Sequence, residues 1–402
     1  MKFSPRRLGT VWSWQAALHG ILGTTFLLFF LGASEAYRAL GYCLVIVALY
    51  LWFKSPYKLM FSRLSLDMMF VVTLPIALIL MHMMAVGEIE FVKPMRHMMI
   101  AVAFAYAMYL SLKIPHSEQS HYLGYMLGVV FLYVALQMMW IYGIHHKFGT
   151  TKNPHYLAQG CMLLLLLLGY CWHIMKTYQK WLTGALSLCL FWLLIITLSR
   201  PAWIGFVVGL AVMLVFLSFR QKMILASSFI LVSTFLFYTN LGHFADRVCD
   251  LYLNVSTEER VLIWHNMWQM LSANSPSEWI IGQGMSQFSE HFKSYSEYHL
   301  RGVDFNSPHN FILELLYMHG ALGLLLCLGF ILTIYIKLVR LYRLQVEQRL
   351  TLLMLVMLSA NIAFTSITLP FYTAYNLNII AIVVGVMFAL NDRAERVQSH
   401  HV

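Results

Sequence analysis

The chain has 402 residues, of which 60% are hydrophobic and 11% are charged, and it carries a formal net charge of +10. Soluble domains carry roughly 25% charged residues, so this composition excludes an ordinary water-soluble protein and describes a chain that dissolves in lipid. The cations sit in short clusters between apolar runs, which excludes nucleic acid as the reason for the charge and makes it a topology signal.

Lys2, Arg6 and Arg7 precede an apolar run that continues through Leu31 without a small-residue cleavage site, so it reads as a retained first span. Further apolar runs lie near 39–53, 64–86, 94–112, 122–143, 157–175, 181–199, 202–219, 223–240, 310–336, 349–371 and 374–390. A bilayer core takes about 20 helical residues, and the pattern predicts an all-α polytopic integral membrane protein with about 12 transmembrane helices. The run at 39–53 is short, and only a tight turn at Ser199-Arg200-Pro201 divides 181–199 from 202–219. With the N-terminus inside, the inner segments hold 17 Lys and Arg residues and the short outer turns hold 6. That bias places both termini on the cytoplasmic side and the long hydrophilic loop, 241–308, outside. The chain reads as one domain over 1–402, with this loop inside it. The six cysteines show no metal or redox spacing, and only Cys249 falls in the loop, so no disulfide forms within it.

Inside the loop, Ser256-Thr257-Glu258-Glu259 reads as a capping box with Ser256 as N-cap, opening a helix to about Ser272. Arg260, Trp264, Met267 and Leu271 then share one face, which sets a cation in an apolar stripe. Such a cation either pairs with an anion or snorkels to water. Ile281-Gly282-Gln283-Gly284 reads as a turn. The loop closes on Asn306-Ser307-Pro308-His309-Asn310, where Ser307 suits N-cap and Pro308 suits N1 of an unbroken apolar helix. His309 would then sit in its first turn, where the helix dipole disfavours imidazolium and leaves a neutral imidazole, the form a general base needs. The plainer reading is an interfacial histidine that only hydrogen-bonds. Arg200 lies at a break between two apolar runs, either snorkelling or serving a site at membrane depth. His145-His146 and His155 lack a nearby carboxylate or cysteine partner, so no metal site is expected there. Lys147, Lys152 and His155 would instead add positive potential to an anionic site. Glu88 and Glu90 form a small acidic outer turn.

Several short pieces, in this order, resemble the family of O-antigen ligases, O-antigen polymerases and O-linked oligosaccharyltransferases. They are Asn153-Pro154-His155-Tyr156-Leu157-Ala158, Ser199-Arg200-Pro201-Ala202-Trp203, Arg260-Val261-Leu262-Ile263-Trp264, Gly282-Gln283-Gly284, and Ser307-Pro308-His309-Asn310-Phe311 followed by Gly320 and Gly323. The resemblance covers roughly 145–335. Pro201 stands where the family has a glycine or small residue, and His155 where it more often has asparagine. The resemblance implies a glycosyltransferase fold of transmembrane helices with a large periplasmic loop, and no cofactor, metal or nucleotide. It implies His309 as general base and Arg200 and Arg260 as holders of the donor pyrophosphate. Asn310, Lys152 and His155 are further substrate-binding candidates. The implied partners are an undecaprenyl-pyrophosphate-linked O-antigen donor, a lipid A–core acceptor and membrane lipids, with no nucleic acid. The implied setting is the periplasmic face of a Gram-negative inner membrane. Of the family's activities, compact length, basic charge and one dominant loop favour the ligase. The polymerase and the protein-glycosylating relative share its donor and base. A lipid-linked glycan transporter is the reading from another class, but its charges usually sit at mid-membrane.

Overall fold

The computed structural model describes residues 41–47, 92–112, 130–138, 154–172, 175–253, 258–284, 288–296, 305, 307–368 and 371–399, with single positions at 50, 74, 77 and 128. The expected spans at 11–32 and most of 39–53 and 64–86 lie outside them. So do Glu88, Glu90, the His145-His146 pair, Lys147, Lys152 and Ser256. All secondary structure among the described residues is helical.

The helices are α1 (Val92–Ser111), α2 (Pro154–Cys171), α3 (Thr177–Ile196), α4 (Arg200–Phe216), α5 (Phe219–Thr239), α6 (Phe244–Leu253), α7 (Glu259–Ser272), α8 (Pro276–Ile281), α9 (Phe288–Tyr295), α10 (Phe311–Arg343), α11 (Gln348–Thr368) and α12 (Ala374–Ser399). Six of the described helices, α2, α3, α5, α10, α11 and α12, are long and apolar enough to cross a membrane, and α4 is a shorter apolar helix. The protein is therefore a multi-pass membrane protein. The segment read as one hydrophilic loop is itself helical, holding α6 to α9 and a 3-10 turn at Leu241–His243.

α3 and α4 are separate helices. The break falls at Thr197–Ser199, with Leu198 in the left-handed region (φ 52°), and Arg200 already belongs to α4. Two glycines bring α4 against α11. A Cβ on Gly205 would lie 2.7 Å from the Ala360 carbonyl oxygen, and one on Gly209 would lie 3.2 Å from the Ala360 side chain. Arg200 is five residues before Gly205, and Thr368, which ends α11, is eight after Ala360. At 1.5 Å rise per residue the two ends reach about 8 Å and about 12 Å beyond the contact in the same direction, because the helices are antiparallel.

α10 corrects two expectations. Its N-cap is Asn310, whose side chain accepts from the Ile312 and Leu313 N–H groups, so Ser307 is not the cap and His309 precedes the helix. The Asn310 oxygen is thereby committed to the cap. The helix is also not unbroken, because Gly320 departs from helical geometry (φ 60°, ψ −168°). At that bend the Tyr317 and Met318 carbonyls take their N–H donors from loop backbone. Gln283 N–H donates to Tyr317 at 2.8 Å and Gly284 N–H to Met318 at 3.2 Å. Any side chain at Gly282 or Gly320 would overlap the facing backbone, so both positions require glycine. The Gly282-Gln283-Gly284 turn thus locks the loop helices onto α10.

Candidate active site

Four helix N-termini and one C-terminus converge at one end of the bundle. His155 opens α2, Arg200 opens α4, Arg260 is the second residue of α7, His309 sits just before α10, and Thr368 ends α11. Backbone N–H groups and dipoles at four helix starts favour an anion there.

Arg260 projects from α7 on the face anticipated from its spacing, with Met267 and Leu271 buried behind it. Its Nη2 donates to His155 Nε2 at 3.2 Å and reaches Thr368 Oγ1 at 3.5 Å. An arginine has only donors, so His155 Nε2 carries the lone pair and Nδ1 the proton. His155 Nδ1 then donates to Ser199 Oγ at 2.9 Å. Burial opposes the charge on Arg260 and lowers its pKa, while the Glu258 carboxylate supports it.

Arg200 pairs with Glu258, the N-cap of α7, with Nη1 and Oε2 2.7 Å apart. The pair is partly buried, with the two side chains 13% and 29% exposed, so it links α4 to α7 more firmly than a surface pair would. One contact leaves most of the five guanidinium N–H donors of Arg200 uncommitted to Glu258.

His309 is held from three sides. Its backbone is left-handed (φ 52°), which is uncommon outside glycine and marks a constrained residue. The preceding Pro308 carbonyl accepts from Trp264 Nε1 at 3.1 Å, and Trp264 lies one turn after Arg260. The His309 ring packs edge-to-face against Phe305, with centroids 6.2 Å apart. Its Nδ1 lies 3.0 Å from the Thr368 carbonyl oxygen. A carbonyl only accepts, so Nδ1 carries the proton and Nε2 keeps its lone pair. The His309 pKa is lowered, first by burial and then by the Arg260 charge, against an opposing contribution from the Thr368 bond. A neutral imidazole with a basic Nε2 is the state this surrounding selects.

The structure thus brings together Arg200, Arg260, His309 and His155, while Lys152 lies outside the described residues. Sequence reasoning missed three partners. Glu258 looked like the interior of a capping box, Ser199 stood in a quoted motif without a role, and Thr368 ended an apolar run with no signal at all.

An O-antigen ligase family model matches residues 185–328. No curated protein matches the chain. The matched stretch contains Arg200, Arg260 and His309, whereas their partners His155 and Thr368 fall outside it. The match supports a membrane glycosyltransferase-like enzyme of the O-antigen ligase and polymerase type.

Proposed function

We propose that the protein is an O-antigen ligase. It would transfer O-antigen from undecaprenyl pyrophosphate to lipid A–core on the periplasmic face of a Gram-negative inner membrane, with both termini cytoplasmic. The observation that carries this reading is the meeting of a neutral, Nδ1-protonated His309 with two guanidinium groups at a cluster of helix N-termini.

The acceptor sugar hydroxyl attacks the anomeric carbon of the donor as its proton passes to His309 Nε2. The bond from that carbon to the pyrophosphate oxygen breaks, and undecaprenyl pyrophosphate departs with the electron pair. Arg200 and Arg260 balance the charge that grows on the leaving oxygens, where guanidinium forks suit phosphate geometry. A single displacement inverts the anomeric centre.

The test is complementation of a ligase-null strain, read on lipopolysaccharide gels. The proposal expects full-length O-antigen bands on lipid A–core from the wild-type chain and none from His309→Ala. Restoration only in a polymerase-null strain would assign the polymerase activity instead.

A further inference from the structure

Glu314 lies one turn into α10 and is 2% exposed, a buried carboxyl group. A buried carboxylate is costly unless hydrogen bonds hold it. One oxygen of Glu314 accepts from the Phe371 N–H, in the connection between α11 and α12. Its Oε1 has no hydrogen-bond partner among the described residues. The same connection begins at Thr368, whose carbonyl receives His309 Nδ1.

The start of α10 is therefore stitched to this connection at two points, through the His309 ring and through Glu314. Other groups hold the connection's carbonyls. Asn376 Nδ2 donates to the Phe371 oxygen at 3.0 Å, and His97 Nδ1 lies 3.1 Å from the Tyr372 oxygen. Asn376 is itself fixed from within the bundle, since its Oδ1 accepts from Asn361 at 2.6 Å and Asn361 accepts from Gln159 at 2.7 Å. Gln159 is one turn below His155 on α2. Glu314 supplies the matching acceptor for the connection's N–H, from the helix that His309 precedes.

We propose that Glu314 is a positioning residue for His309: by holding the Phe371 N–H it keeps the Thr368 carbonyl in place to receive His309 Nδ1–H, which leaves Nε2 as the base. This inference rests on the general-base reading of His309. The charged and titratable groups acting on His309 are Arg260 and Glu259 from α7 and His155 from α2. Those acting with Glu314 are Tyr372 and Cys327.

The experiment uses the full chain in detergent, with lipid-linked donor and acceptor, and compares Glu314→Gln, Glu314→Asp and Glu314→Leu after thermal melting confirms a folded protein. Loss of the acceptor should lower kcat about tenfold, a part of the 10²–10⁴ that general-base catalysis contributes, with donor KM little changed. The Thr368 bond raises the His309 pKa, so losing it moves the acid limb of the pH–rate profile to lower pH. Glu314→Gln keeps an acceptor and should restore both readouts. Glu314→Asp is too short to reach and serves where the leucine variant does not fold. In a His309→Ala background, Glu314→Leu should cost nothing further. Wild-type kcat and acid limb in folded Glu314→Asp or Glu314→Leu overturn the proposal, as does a glutamine variant as impaired as leucine. Full activity of His309→Ala alone overturns the base reading together with this one, whereas an inactive His309→Ala beside a normal Glu314→Leu overturns only this one.

Discussion

The two walls of the site differ in what they contribute. The loop wall, α7 and the turn before α10, brings Glu258, Arg260 and His309. The bundle wall, α2, α4 and α11, brings His155, Ser199, Arg200 and Thr368. Each wall supplies one guanidinium, but the proposed proton acceptor comes only from the loop, and the neutral groups that orient it and Arg260 come from the bundle. The bundle wall is also the better packed, with glycines of α4 against α11, whereas α7 presents a half-buried face. Reactive groups on the less buried wall and orienting groups on the rigid one is an arrangement that lets substrate enter while fixing tautomers.

That division can be broken by substitution. The largest effect is expected for His309→Ala, a loss of about 10²–10⁴ in transfer rate from removal of the base. Arg260→Ala should cost about 10²–10³, comparable to removing one preorganised charge-stabilising donor. Arg260→Lys should recover little, because an ammonium lacks the planar fork. On the bundle wall, Arg200→Ala should cost roughly 10–100-fold, the size of one charge-assisted hydrogen bond, and should appear in donor KM. Glu258→Gln removes a counter-charge and not a donor, so it should change the rate by less than Arg200→Ala does. Asn310→Ala touches neither wall's chemistry. It removes the cap of α10 and should lower stability by about 1 kcal/mol in thermal unfolding. Equal losses at Arg200, Glu258 and His309 would erase the distinction between the walls.

Much of the loop wall was legible in the sequence, because spacing alone put Arg260 and Trp264 on one helical face and brought His309 to a helix start. The capping was misassigned at both α7 and α10. Ser and Pro are strong cap signals, yet Asn310 and Glu258 hold the cap positions, one with its side chain and one with backbone only. The bend at Gly320 was hidden because glycine inside an apolar run is ordinary in membrane helices, and only the facing Gly282 backbone explains it. The bundle wall was legible at Arg200 and His155 and silent at their partners. Thr368 acts through a backbone carbonyl, which any residue carries, so no side-chain pattern could announce it. Gln159, Asn361 and Asn376 are far apart in the chain, and only the packed helices join them.

The central claim is that His309 is a neutral base beside a guanidinium, and the pH dependence of kcat/KM in wild type and Arg260→Ala tests it most directly. Burial and Arg260 lower the His309 pKa, so its base form persists below the ordinary histidine value near 6.5. The wild-type acid limb should therefore fall below that value. Removing Arg260 takes away a positive neighbour, so the limb should move to higher pH in the variant while the maximal rate drops. An acid limb at the same pH in both proteins, or a wild-type limb above the ordinary histidine value, would contradict the account.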